Sequence, residues 1–79
     1  MLIVSPEKTL FEGPVKYVRL PGSAGQFAVF HNHAPLISSL DAGEVVYRSG
    51  KDKIRLNISG GFVEVNDNTV SVCVTEATA

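Results

Sequence analysis

A chain of 79 residues and 8.4 kDa holds a single domain, residues 1–79, because domains usually run to about 100–150 residues and one this small buries only about 60% of its unfolded surface. With 44% hydrophobic and 19% charged residues, the composition excludes intrinsic disorder. A formal charge of −1, from seven basic and eight acidic residues, lacks the clustered Lys/Arg excess that duplex DNA or an anionic membrane surface requires.

The chain opens MLIVSPEK, where Ser5, Pro6 and Glu7 interrupt the apolar run far short of a signal peptide core or a span of about 20 residues. The expectation is a protein that is soluble or peripheral to something larger. Valine and isoleucine outnumber alanine and leucine, and the seven glycines and four prolines are spread so that no helix-length window is free of breakers. Strand-like runs follow in order: VKYVRLP (15–21), QFAVF (26–30), EVVYRS (44–49), KIRLNI (53–58), GGFVEV (60–65) and TVSVCV (69–74), each bounded by turn residues. Ile54, Leu56 and Ile58 alternate with Lys53, Arg55 and Asn57, and Val70, Val72 and Val74 alternate with Thr69, Ser71 and Cys73. Period two means one buried and one exposed face. Ser49-Gly50-Lys51-Asp52 and Asn66-Asp67-Asn68 read as hairpin turns. Parallel strands need long, usually helical crossovers, so the expectation is an all-β fold with antiparallel pairing throughout, an antiparallel β-sandwich or flattened barrel. Gly60-Gly61 predicts a bulge, a bend or a close backbone approach, and the tail TEATA (75–79) is expected to fray.

Few constellations point to chemistry. Gly25 followed by His31-Asn32-His33 resembles the start of a cupin metal motif, and alternate histidines on a strand would share a face. The motif then fails, with Ile37 and Ser38 where an acidic ligand belongs, no third histidine, and Pro35 making the stretch loop-like. A cupin-like metal enzyme is thus one alternative, against two loop histidines bonded to backbone or facing a partner. Cys73, the one cysteine, closes no internal disulfide, which points to a reducing compartment; it has no adjacent cation to activate it and reads as a packed or partner-facing thiol. Asp41 and Glu44 beside Gly43 are more simply solvated turn residues than an acid/base pair. The Gly-rich PGSAGQF segment lacks the lysine and the following helix of a phosphate loop. An OB-like single-strand nucleic-acid binder fits the size, but only Tyr17 and Tyr47 lie near an arginine, too few for stacking platforms. No catalytic residue, metal or cofactor is expected.

Taken as a unit, residues 20–43, LPGSAGQFAVFHNHAPLISSLDAG, resemble the signature of the epsilon subunit family of F-type ATP synthases: Gly22 and Gly25 in a turn, a short apolar strand 27–30, the loop His33-Ala34-Pro35-Leu36, then Leu40 and Gly43. The early VSPEKTLFEG run resembles the family's first hairpin, and Ser59-Gly60-Gly61-Phe62-Val63-Glu64-Val65 resembles its SGG segment. The resemblance implies a β-sandwich clamped to the gamma subunit of the central stalk and resting on the c-ring, a non-catalytic rotor element coupling proton transport to ATP synthesis. It places the protein on the cytoplasmic face of the cell inner membrane, peripheral through the complex and not inserted, with no nucleic-acid partner.

Carried over by position, the c-ring contact falls on Ser23, Ala24, Gly25 and Gln26, and the gamma-facing surface near His33, Ser38 and Ser59. Gln26 stands where the family often has an acidic residue, so that contact would use hydrogen bonds. The family's helical hairpin is absent from these 79 residues, so neither nucleotide binding nor hairpin inhibition is expected. A mean hydropathy of +0.15 implies an exposed apolar patch, with Ala28, Val29 and Phe30 either part of it or part of the core. A charge at Ser38 is expected to weaken gamma binding with the fold intact.

Overall fold

The computed structural model describes residues 1–77, and it is all-β. Eight strands follow the chain: β1 (Leu2–Val4), β2 (Thr9–Glu12), β3 (Tyr17–Gly22), β4 (Gly25–Phe30), β5 (Leu36–Leu40), β6 (Gly43–Ser49), β7 (Asp52–Asn66) and β8 (Thr69–Glu76). The order β2-β1-β8-β7-β5-β3-β4, with β6 pairing both β3 and β7, closes a circuit through β7, β5, β3 and β6. The expected flattened barrel or sandwich is therefore present.

The two hairpins read from turn chemistry form as expected. Ser49 pairs with Asp52 across the Gly50-Lys51 turn, and Asn66 pairs with Thr69 across Asp67-Asn68. Gly50, Asp67 and Asn68 all take positive φ, which suits glycine and, among other residues, Asn and Asp. The first hairpin also forms, with Leu2 opposite Glu12; its turn is closed by Ser5, whose amide donates to the Lys8 carbonyl at 2.8 Å and whose hydroxyl accepts from the Lys8 amide at 3.3 Å.

The runs 53–58 and 60–65 are not separate strands but one, β7, with a register shift between Ile58 and Gly60. This bulge has a purpose legible in the burial pattern. Before it Ile54, Leu56 and Ile58 turn toward the core, and after it Val63 and Val65 do. That is a change of parity which an unbroken period of two forbids and one extra residue supplies. The first half of β7 thus pairs with β6, and the second half with β5 and β8.

Pairing is not antiparallel throughout. β1 runs parallel to β8, with Leu2, Ile3 and Val4 opposite Ser71, Val72 and Cys73. The crossover that parallel strands require is here nearly the whole domain, since the first and last strands are the partners. Nor does the tail fray where expected: Thr75 and Glu76 pair with Gly60 and Ile58, and the Ala77 amide donates to the Asn57 carbonyl at 3.1 Å. Thr78 and Ala79, the rest of that segment, lie outside the described residues. β5 has no counterpart among the strand-like runs, although Leu36, Ser38 and Leu40 turn inward and Ile37 and Ser39 outward.

The core is Ile3, Val18, Leu20, Val29, Leu40, Val45, Tyr47, Ile58, Val63, Val65, Val70, Val72 and Val74. It is mostly β-branched, which packs well on pleated surfaces. Tyr47 meets Phe11 of β2 with ring centroids 4.7 Å apart, a tilted contact of the favoured kind.

Candidate functional site

Two surface regions stand out, one at a hairpin tip and one on a sheet face. At the tip, Gly22 and Gly25 close the ladder between β3 and β4 around Ser23-Ala24. Gly25 has φ +132°, and a Cβ on Gly22 would lie 2.7 Å from both the Gly25 carbonyl oxygen and the Phe27 ring, so glycine is needed at both. Ser23, Ala24, Gly25 and Gln26 are all exposed and together form the projecting surface. The tip is tied to the turn between β5 and β6. The Ser23 amide donates to the Ser39 carbonyl at 3.0 Å, and the Asp41 amide to the Pro21 carbonyl at 2.8 Å. The Ser39 hydroxyl donates to Ser23 Oγ at 2.9 Å, which in turn donates to Asp41 Oδ1 at 2.9 Å.

His33, Ser38 and Ser59 are not brought to one point. His33 sits in the loop between β4 and β5, its Nδ1–H donating to the Ala34 carbonyl at 2.7 Å. That loop is fastened to the turn between β7 and β8: the Asn32 amide donates to Asn68 Oδ1 at 2.8 Å, and Asn68 Nδ2 donates to His31 Nδ1 at 3.3 Å. Ser59 lies at the other end of the strip, at the β7 bulge, its hydroxyl donating to the Thr75 carbonyl at 3.2 Å. At about 3.3 Å per residue, the seven residues from Asn66 back to Ser59 separate the two ends by roughly 20 Å. Ser38 lies between them but turns inward opposite buried Val63, so a charge there disturbs packing as well as any contact.

The strip joining these ends carries what the sequence reading missed. Ile37 and Phe62 are 76% and 54% exposed. Both stand on the outer face, since Ser39 opposes Phe62, Ile37 opposes Glu64 and Phe62 opposes Cys73, which in turn opposes Val4. An apolar stripe of Phe62, Cys73 and Val4 thus crosses β7, β8 and β1, and Ile37 of β5 extends it as the diagonal neighbour of Phe62, with Ser39 and Glu64 between. Large apolar side chains grouped on one exposed face, unlike ones scattered singly, make it a candidate contact surface. Alternation gave a signal for Phe62, which falls out of phase with Val63 and Val65; Ile37 was hidden because β5 itself was not recognised. The expected patch divides: Val29 is core at 3% exposure, Ala28 is half-buried, and Phe30 is 61% exposed beside Tyr17, ring centroids 6.0 Å apart.

The groups weighed for chemistry are otherwise engaged. Asp41 accepts from Ser23, whereas Glu44 pairs with Arg55 at 2.9 Å on the surface. Cys73 is a free, half-buried thiol in the stripe. Tyr47 is buried, and desolvation raises its phenol above the ordinary value. Among the described residues no three His, Cys, Asp or Glu side chains form a group able to hold a metal ion. Charge is unevenly spread: register and alternation put Arg19, Arg48, Lys53 and Arg55 on the outer face of β3, β6 and β7, with Glu44 the acid beside them. Val46, whose register partners are Arg19 and Arg55, is only 1% exposed on that face, as expected where arginine stems lie over an apolar side chain.

A β-sandwich with a braced tip and an apolar outer stripe is the class these features define. The profile of the family described as ATP synthase, Delta/Epsilon chain, beta-sandwich domain matches residues 1–79, and the chain belongs to that family. It is 44% identical over 70 residues to the ATP synthase epsilon chain of Leptospira borgpetersenii, covering 89% of this chain and 55% of that one. It is 37% identical over 75 residues to the epsilon chain of a Cyanothece species, covering 95% and 54%. The chain thus spans about half the length of the curated relatives it matches. Among solved structures, the mitochondrial ATP synthase of Euglena gracilis, determined with its c-ring, contains a chain that superposes with a TM-score of 0.89 at 25% identity, covering 98% of this chain and 50% of that one. The central stalk and c-ring of the Tetrahymena thermophila enzyme contain another at a TM-score of 0.81 and 18% identity, covering 95% and 61%, a likeness of fold.

Proposed function

We propose that this chain is a non-catalytic rotor element of a proton-translocating ATP synthase, held to the gamma subunit through the apolar stripe and meeting the c-ring through the tip formed by Ser23, Ala24, Gly25 and Gln26. The observation that carries the reading is the outward stripe of Ile37 and Phe62 on a domain of the epsilon family. A rotor subunit must be gripped over an area large enough to bear torque, and apolar burial is the non-directional force that provides it. His33 and Ser59 then lie at the two ends of the gamma contact, with Ser38 beneath its centre. The protein works at the cytoplasmic face of the cell inner membrane, attached through its complex, and takes no cofactor of its own.

The test is co-purification with the gamma subunit of the same genome. Wild type forms a one-to-one complex by light scattering. Ile37→Asp and Phe62→Asp weaken it at least tenfold while circular dichroism is unchanged, because central apolar contacts dominate interface energy. Wild-type affinity in both variants would refute this surface assignment.

A further inference from the structure

We propose that Ser39 and Asp41 are positioning residues that lock the β3–β4 tip onto β5, making the c-ring contact rigid with respect to the gamma contact; the proposal rests on the reading of the tip given above. The tip needs such support. β4 is the last strand in the sheet order and is backed by β3 alone; β3 in turn pairs with β6 only as far as Arg19, and toward the tip it meets β5 through one pair, Gly22 with Leu40. A hairpin held on one side twists readily, and a contact that carries torque cannot afford that.

The hydrogen bonds around Ser23 supply the stiffness in a defined direction. An ionised carboxylate only accepts, so Asp41 Oδ1 must receive the Ser23 proton. The Ser23 oxygen is then the acceptor for Ser39, whose hydroxyl lies 2.9 Å away. The chain Ser39, Ser23, Asp41 therefore has one proton order, each bond polarising the next. The two backbone bonds, Ser23 to Ser39 and Asp41 to Pro21, hold the same segments together from the main chain. Ser39 and Ile37 share the outer side of β5, two residues apart. One strand therefore bears both the gamma contact and the anchor of the tip, and a load on the tip reaches the gamma surface through about 7 Å of extended backbone.

The test measures amide exchange in the 79-residue chain and, separately, affinity of its gamma complex for purified c-ring. Asp41→Ala and Ser39→Ala are expected to speed exchange at the Ser23 amide by roughly threefold to tenfold, as loss of one such bond implies, and Asp41→Ala, which lies off the outer face of β5, to lower c-ring affinity without changing gamma affinity. Asp41→Asn keeps an Oδ1 acceptor and restores both readouts. Unchanged Ser23 exchange in Asp41→Ala overturns the lock, and so does Asp41→Asn behaving as Asp41→Ala, since the carboxylate would then act by its charge. Ala24→Trp separates the two readings. If it abolishes c-ring binding while Asp41→Ala leaves that binding intact, the lock has no role in coupling and the tip assignment stands. If Ala24→Trp binds the c-ring normally, the tip assignment falls and takes this proposal with it.

Discussion

At Gly61 a single methyl group has no room in the fold. Its φ is +155°, and a Cβ there would collide with the Cys73 carbonyl oxygen and crowd the Val74 backbone, none of which can move without pulling β8 from β7. Gly60 beside it has only the Leu40 carbonyl oxygen at 3.6 Å, an ordinary contact. Gly61→Ala is therefore expected to cost more than about 2 kcal/mol, and Gly60→Ala less than about 1, read from urea midpoints of the two variants. Tyr47 offers a second test at this scale. Its phenol pKa is raised in the folded state by burial, so the protonated form is favoured by folding. That contribution is complete below the unfolded value near 10 and declines as pH rises through it, because the unfolded chain releases the proton first. Stability should be insensitive to Tyr47 at neutral pH and fall in alkali, and Tyr47→Phe should lose that part of the decline in urea titrations above pH 10.

Among the elements, β7 and β5 do most to organise the surfaces. β7 serves both layers because its bulge changes which alternate residues face the core, and Phe62 is turned outward by the same change. β5 sorts its side chains more simply: Ser38 lies under the strand opposite Val63, and Ile37 over it. Asp at the two adjacent positions should therefore behave differently. Ser38→Asp brings a charge toward a fully buried valine and should cost about 1–3 kcal/mol, whereas Ile37→Asp should cost less than about 1 kcal/mol and act on gamma binding alone. Parallel measurement of denaturant midpoints and gamma affinity for this pair checks the orientation of β5. The hairpins on either side of β7 were legible beforehand because Gly50, Asp67 and Asn68 are turn residues with few other uses. β5 was not legible, because Pro35 before it and the serines at 38 and 39 mask an alternation that only three inward residues carry.

For the molecule as a whole, the parallel pairing of the first and last strands attaches β1 and β2 to the closed circuit through β8. Ile3 is fully buried against the core and is opposite Val72. A domain of this size has a stability of roughly 4–12 kcal/mol, and truncating a buried isoleucine to alanine removes about 2–5 kcal/mol of it. Ile3→Ala should thus lower the thermal midpoint steeply and, at the weaker end of that range, leave a sizeable unfolded fraction at 37 °C by calorimetry. The surface pair of Arg55 and Glu44 is the contrasting case. Both are well exposed, so Arg55→Ala should change stability by less than about 1 kcal/mol.

The all-β class and the two hairpins about β7 follow from local rules, which act within a few residues and are written in turn types and alternation, whereas the tip at residues 23–26 came with the family resemblance. The ordered segments of residues 20–43 and 59–65 likewise carried the family without any coordinates. The parallel seam between β1 and β8, the meeting of β5 and β7 that brings Ile37 toward Phe62, and the hydrogen-bond chain from Ser39 through Ser23 to Asp41 join residues between about 16 and 70 positions apart. No periodicity or turn signal spans such distances. Only the closing of the sheet brings those residues together, and with them the surfaces on which the proposed work of the domain depends.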